Sequence, residues 1–261
     1  MGKRMRSALP KVLQPLAGRP LLEHVLETAQ SLKPRRIHVV YGHGGDAVQA
    51  HFAGWDVNWC HQAEQLGTGH AVLQAMPALP ATGRVLVLCG DVPLARRETL
   101  ESLLAVEDAP VAVLTAELED PTGYGRIMRD AAAEVTGIVE EKDATPGQRD
   151  VREINTGIMA MDIAPLRAWL GRLTNDNAQG EYYLTDVIAL AVADGKTVTG
   201  VLAPVGEELL GINNKHQLAA TERAYQRRVA ERLMDDGATL VDPDRIDVRG
   251  TLEVGRDVFI D

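Results

Sequence analysis

Leu22, Val25, Leu26, Ala29 and Leu32 recur at three- and four-residue intervals, which predicts an amphipathic helix over 20–32. The segment 36–41 then reads as a strand, stopped by Gly42, Gly44 and Gly45. Helical spacing returns over 68–76. Two short apolar runs, 85–89 and 111–114, are continuous rather than alternating, the pattern of strands buried on both faces. Strands alternating with helices predict an α/β domain with a parallel sheet, whose ligands sit beyond the carboxyl ends of the strands.

From residue 120 the texture changes. The segments 126–129, 135–140 and 154–161 are separated by turn-rich stretches and read as an antiparallel insertion. Helices are predicted over 165–173 and 181–194, followed by a strand over 197–203. Beyond Asn213 a long helix carries Leu218, Tyr225, Val229 and Leu233 on one stripe, with Arg223, Arg227, Arg228 and Glu231 off it, and Gly237 ends it. The last stretch has another period: Val248, Val254 and Ile260 are six residues apart, as are Leu252 and Val258. A repeat of that length marks the coil of a β-helix, although an irregular tail is the plainer alternative over so few residues.

Charge sharpens the picture. A net charge of −10 argues against general nucleic-acid binding, which wants a basic face. Yet residues 1–36 hold eight Lys or Arg against only Glu23 and Glu27, so a basic segment leads an acidic chain. That asymmetry suits a small polyanion such as a triphosphate; a solvated charged surface accounts for it equally well. No apolar run is long enough to span a membrane, and Cys60 and Cys89 follow no disulfide pattern. The chain reads as cytoplasmic, with both thiols reduced.

Three segments carry candidate chemistry. The first is Gly2-Lys3-Arg4-Met5, followed by Leu9-Pro10-Lys11, where cations near a turn can neutralise phosphate oxygens. The second includes Gln62, Gln65, Gly67, Thr68, Gly69 and His70 and runs straight into a helix. Its glycines allow a flat ligand close to the backbone, and an amide side chain can face a base edge with both donor and acceptor. A Gly-rich loop with Thr68 as helix cap is the competing reading, and His70 reads as an ordinary helix residue. The third is Leu88-Cys89-Gly90-Asp91-Val92-Pro93, where a carboxylate just past a strand can hold Mg2+ together with water and substrate phosphates. A turn or cap role for Asp91 is the alternative. Thr122 to Arg126, Glu140 with Lys142, and Glu153 to Gly157 look suited to sugar hydroxyls, or else to plain turns. Of Asn213 and Asn214, either could cap the long helix or complete a metal shell.

In their order and spacing these segments, among them QAEQLGTGHAV, CGDVPL, DPTGYGRI, GIVEEKDAT, EINTGI, NAQGEYYLTD and GINN, strongly resemble the bacterial bifunctional UDP-N-acetylglucosamine pyrophosphorylases/glucosamine-1-phosphate N-acetyltransferases over essentially the whole chain. The resemblance implies a Rossmann-like α/β nucleotidyltransferase domain with a mixed, mainly parallel sheet over 1–215. A linker helix over 216–236 and the first coil of a left-handed β-helix over 237–261 would follow. It implies uridylyl transfer from UTP to N-acetylglucosamine 1-phosphate, giving UDP-N-acetylglucosamine and pyrophosphate for cell-envelope precursors. Arg4 and Lys11 would act on the nucleotide phosphates as catalytic groups. Gln62, Gly67 and Thr68 would recognise uracil, Asp91 and Asn213 would hold Mg2+ and bind substrate with Gly90 beside them as a substrate-binding residue, and Gly125, Glu140 and Asn155 would bind the sugar. No nucleic-acid or membrane partner is implied.

Three departures qualify the resemblance. Cys89 stands where relatives often have Tyr. The family's opening strand and Leu-Ala-Ala-Gly turn, which offers backbone N–H groups to the nucleotide, have no counterpart here, so weak or absent turnover and a gap in the sheet beside 85–89 are expected. The hexads stop after about one coil, so the acetyl-transfer site, and the coil through which the family trimerises, are expected to lie outside this chain. A UDP-sugar-binding domain without turnover, or a nucleotidyltransferase for another sugar 1-phosphate, are the alternative readings.

Overall fold

In the computed structural model, which describes residues 5–261, the chain opens with a short helical turn at Lys11–Leu13. There follow β1 (Pro15–Leu16), β2 (Arg19–Pro20), α1 (Leu21–Ser31), β3 (His38–Tyr41), α2 (Gly45–His51), β4 (Asn58–His61) and α3 (Thr68–Ala75). Next come β5 (Arg84–Val87), α4 (Arg97–Leu104), β6 (Val111–Glu117), β7 (Arg126–Arg129), β8 (Val135–Val139), α5 (Pro146–Arg149) and β9 (Glu153–Asp162). The remainder is α6 (Ile163–Leu170), α7 (Asp186–Ala193), β10 (Val198–Leu202), α8 (Lys215–Asp235), β11 (Thr239–Leu240) and β12 (Phe259–Ile260). By contacts the chain divides into two compact units that cut across sequence order. Of the described residues, one holds 5–27, 90–94 and 211–261; the other holds 28–89 and 95–210.

The larger unit is built on a six-stranded mixed sheet in the order β10-β6-β9-β7-β8, with β5 on β9 as well. β10 runs parallel to β6, and both β5 and β6 run antiparallel to β9. β7 is also antiparallel to β9, so β5, β6, β7 and β10 share one direction and only β9 and β8 oppose them. The α/β class with a mixed sheet therefore stands. The segments read as an antiparallel insertion are antiparallel to one another, but β9 lies inside the main sheet, with Met161 and Ala160 paired to β5 on one side and β6 on the other.

Burial follows the sheet. β6 is buried at every residue from Val111 to Ala116, as its continuous apolar run predicts. β5 was expected to match it, but its four residues are only half-buried. Among the described residues β5 pairs with β9 alone and β3 with β4 alone, so one edge of each carries no strand. An open edge leaves the backbone N–H and C=O groups on that side without a neighbouring strand to cover them.

One core of the larger unit joins Val111, Val113, Met159 and Met161 of the sheet to Ile163, Leu166 and Trp169 of α6 and Val187, Ile188 and Ala191 of α7. Trp169 is 2% exposed, and its indole N–H donates to Asp194 Oδ2 at 2.9 Å. Trp169→Ala is expected to lower unfolding free energy by about 3–5 kcal/mol, because a cavity opens and Asp194 loses a donor. Urea denaturation followed by circular dichroism measures this, and a loss below about 1 kcal/mol would show that the site collapses around the missing ring.

Helix α7 starts five residues later than the helical spacing predicts. Residues 181–185 are not helical, because the backbone of Tyr182 is engaged elsewhere: its N–H donates to Leu66 O at 2.7 Å and its carbonyl accepts from Gly69 N at 2.8 Å.

The smaller unit centres on α8. Leu16, Leu21, Leu94 and Ile212 form a buried cluster with Leu218 and Tyr225 against it. Farther along, Val229 and Leu233 pack with Ala238 and Val248, joined by Ile246, Leu252 and Val254. The expected stripe is thus the buried face of the helix. Gly237, at φ 104°, ends α8, and Ala238 N donates back to Leu233 O at 2.9 Å. Of the hexad residues, Val248 is buried, Leu252, Val254 and Ile260 are half-buried, and Val258 is exposed. β11 and β12 pair in parallel, Thr239 opposite Phe259.

Candidate functional site

The smaller unit draws Lys11, Asp91 and Asn213 together. Lys11 Nζ donates to Asp91 Oδ2 and, at 3.1 Å, to Asn213 Oδ1. Each comes from a different part of the chain: Lys11 from the helical turn at Lys11–Leu13, Asp91 from the loop after β5, and Asn213 from just before α8. Their backbones are held in place too. Ile212 N donates to Asp91 O at 3.0 Å, and Asn213 N donates to Gln217 Oε1 at 2.7 Å. A Cβ on Gly90 would come 3.3 Å from Val12 of the lysine turn, a tight approach, and 3.5 Å from Leu22 of α1, an ordinary contact.

The ambiguity between the two asparagines resolves here. Asn214 is the helix cap, its side chain accepting from Gln217 N at 2.9 Å. That leaves the Asn213 amide oxygen turned to Lys11.

The donor set suits a hard divalent cation. A carboxylate oxygen and an amide oxygen converge on one positively charged nitrogen, so a cation already satisfies both. Small divalent cations bind through one or two carboxylates plus water and substrate phosphates, rather than through an all-protein cage. Among the described residues no three His, Cys, Asp or Glu side chains converge. Arg4 lies outside the described residues, as do Gly2 and Lys3. Other cations of the basic segment are engaged: Arg19 pairs with Glu27 at 2.5 Å and Arg36 with Asp56 at 3.1 Å.

The larger unit assembles two further groups. In the first, Gln62 is 8% exposed, and its amide nitrogen donates to Gly67 O at 3.1 Å and faces His70 Nδ1 at 3.1 Å. His70 thus does more than sit on a helix, since it braces the glutamine. Gly67, at φ 114°, can only be glycine: a Cβ would fall 2.5 Å from Tyr182 O. Thr68 is not the helix cap. It is the first helical residue, Gly67 holds the cap position, and the Thr68 hydroxyl accepts from Leu184 N at 2.9 Å.

The second group joins Gly125, Glu140 and Asn155. Asn155 N donates to Gly125 O at 2.8 Å, and a Cβ on Gly125 would lie 3.4 Å from Glu140 Oε2. Burial pushes the Glu140 carboxyl above the ordinary glutamate range; a hydrogen bond from Thr185 pulls the other way, and Asp186, Asp143 and Glu181 add repulsion. Neighbouring residues of the same motifs are structural. Arg126, 1% exposed, is paired with Glu141 at 2.7 Å, and Glu153 takes both ends of Arg129 at 2.6 and 2.7 Å. Lys142 turns to Gln179 rather than to Glu140. The Cys89 thiol donates to Gly157 O at 3.6 Å, and Cys60 and Cys89 form no disulfide.

Sequence reasoning passed over Gln217, which fixes the Asn213 backbone, and Thr185, whose hydroxyl donates to Glu140 Oε1 at 3.0 Å. Gln217 had a signal, being four residues on from Asn213 at a helix start. Thr185 had none beyond its place in a motif, because its partner is 45 residues away.

Residues 1–152 match the MobA-like NTP transferase domain family, so the chain belongs to that family and is a nucleotidyltransferase by class. More particular relatives cover all of it. The "Bifunctional protein GlmU" of Azoarcus sp. is 59% identical over 261 residues, that of Aromatoleum aromaticum 60%, and that of Pseudomonas aeruginosa 58%. The chain spans 57–58% of the length of these curated relatives. No helix among the described residues is long and apolar enough to cross a membrane.

Proposed function

We propose that the chain transfers a uridylyl group from UTP to N-acetylglucosamine 1-phosphate, releasing pyrophosphate and forming UDP-N-acetylglucosamine for cell-envelope precursor synthesis in the cytoplasm. The observation that carries this reading is the convergence of Lys11, Asp91 and Asn213 from three distant segments. Each group of residues has the chemistry for one part of the product. Lys11 neutralises phosphate oxygens, Gln62, Gly67 and Thr68 read the uracil, and Gly125, Glu140 and Asn155 receive the N-acetylglucosamine.

A phosphate oxygen of the sugar 1-phosphate attacks the α-phosphorus of UTP, the bond to the β-phosphate bridging oxygen breaks, and pyrophosphate leaves with the electron pair. No covalent enzyme intermediate is required. Positioning and charge neutralisation carry the rate, and the Lys11 ammonium supplies both at the phosphates. Asp91 and Asn213 would hold Mg2+, which when bound adds charge neutralisation at the phosphate oxygens.

The test measures pyrophosphate release with Mg2+, using UTP and N-acetylglucosamine 1-phosphate against other nucleoside triphosphates and other sugar 1-phosphates. The named pair is expected to give the highest kcat/KM. Faster turnover of another pair would replace the substrate assignment. Tight binding of UDP-N-acetylglucosamine without any pyrophosphate release would favour a non-catalytic UDP-sugar-binding domain instead. For the longer protein that the relatives represent, we propose acetylation of glucosamine 1-phosphate and trimer assembly, in line with the relatives' bifunctional name.

A further inference from the structure

One stretch of chain between Gly180 and α7 touches both residue groups of the larger unit. Tyr182 pairs by its backbone with Leu66 and Gly69, and Leu184 N donates to Thr68 Oγ1 at 2.9 Å, so the stretch holds the glycine loop. One residue on, Thr185 is 5% exposed and its hydroxyl donates to Glu140 Oε1 at 3.0 Å. The Glu140 carboxylate is thereby fixed at one oxygen, while its other oxygen lies beside Gly125, where a Cβ would come 3.4 Å from it and 3.0 Å from Ile138, so only glycine leaves that oxygen uncrowded.

We propose that Thr185 is a positioning residue for the sugar: its hydroxyl orients the Glu140 carboxylate through Oε1 so that Oε2 is left to accept from a sugar hydroxyl. This rests on the reading of Glu140 as a sugar-binding group given above. The surroundings show why such a donor is needed. The charged and titratable groups that face Glu140 are Asp186 on α7, Asp143 in the loop after β8, and Glu181 and Tyr183 in the stretch before α7. Burial most of all disfavours its charge, and the three carboxylates add repulsion. Lys142, two residues on, is turned to Gln179. Without the Thr185 hydroxyl, the charged form of Glu140 loses the one side-chain hydrogen bond identified as favouring it.

The experiment compares the Kd for UDP-N-acetylglucosamine with that for UDP, by calorimetry across the acidic pH range, in the parent chain, Thr185→Val and Thr185→Ser. Valine preserves the shape and removes the donor; serine keeps the donor. In Thr185→Val, binding of UDP-N-acetylglucosamine is expected to weaken about tenfold, the size of a lost charge-assisted hydrogen bond, while UDP changes by less than about twofold. The acidic limb of the UDP-N-acetylglucosamine affinity should also move to higher pH, because the protonated carboxyl gains weight. Thr185→Ser should recover both affinity and limb. Equal weakening of UDP and UDP-N-acetylglucosamine, or an unmoved acidic limb, would overturn the role of Thr185. A parent chain that gains nothing from the sugar, binding UDP and UDP-N-acetylglucosamine alike, would instead sink the underlying assignment of Glu140. If Thr185→Val does not fold, Thr185→Ala removes the same hydroxyl without adding a methyl, and the same outcomes apply.

Discussion

Asp91→Ala is expected to reduce pyrophosphate release by at least about a thousandfold relative to the unmodified chain. Asp91 supplies the carboxylate of the Lys11–Asp91–Asn213 set, so its removal leaves the lysine with an amide oxygen alone. A neutral amide oxygen holds a divalent cation far more weakly than a carboxylate does. The residual rate should therefore rise with added Mg2+ well beyond the concentration that saturates the parent. Asp91→Asn separates charge from shape, because it is nearly isosteric, and it should lose activity to a similar degree. Pyrophosphate release across a Mg2+ series measures all three proteins, with circular dichroism confirming that each is folded. Retention of more than about a tenth of the parent rate by Asp91→Ala at ordinary Mg2+ would remove Asp91 from the cation site.

Lys11→Ala should behave differently, and the difference comes from the same geometry. Its ammonium sits on the two oxygens that we assign to the divalent cation, so two cations compete for one pair of ligands. Removing the lysine is expected to lower kcat about 100- to 1000-fold, the scale of losing one positive donor at a reacting phosphate. KM for UTP should change much less, because the contact matters most as charge shifts between phosphates. Affinity for a divalent cation in the absence of nucleotide should stay level or rise, whereas in Asp91→Ala it should fall. Titration with Mn2+, followed by the disappearance of its free-ion spectrum, reads this directly. Weaker Mn2+ binding in Lys11→Ala would show that the lysine supports the cation rather than competes with it. Lys11→Arg should not restore the rate fully, since a planar guanidinium cannot place its charge where a compact ammonium does.

These two variants probe a group of residues whose members were each visible in the sequence while their association was not. Lys11, Asp91 and Asn213 stand out through local context: cations near a turn, an acid after a strand and a polar pair before a helix. Lys11 is 80 residues from Asp91 and 202 from Asn213, and no local rule reports contacts over such separations. For the sugar group, Gly125, Glu140 and Asn155 were likewise legible as separate motifs. Their closeness follows from β9 lying within the main sheet, where Asn155 reaches Gly125, a placement that the turn-rich flanks of an antiparallel insertion do not report.

What the sequence determined alone is the set of local elements. The helix over Leu21–Ser31, the long helix Lys215–Asp235 with its stop at Gly237, and the buried strand Val111–Glu117 follow from periodicity and from turn residues. These signals need no distant partner. Only the tertiary structure decided that Asn214 caps α8 while Asn213 faces the lysine, that β5 is half-buried at an open edge, and that residues 181–185 leave the helical spacing to pair with the glycine loop. In each case a local preference competed with a hydrogen bond or a neighbour from far along the chain. A buried polar group left unpaired costs more than the few tenths of a kcal/mol by which local propensities differ, so the distant partner prevailed.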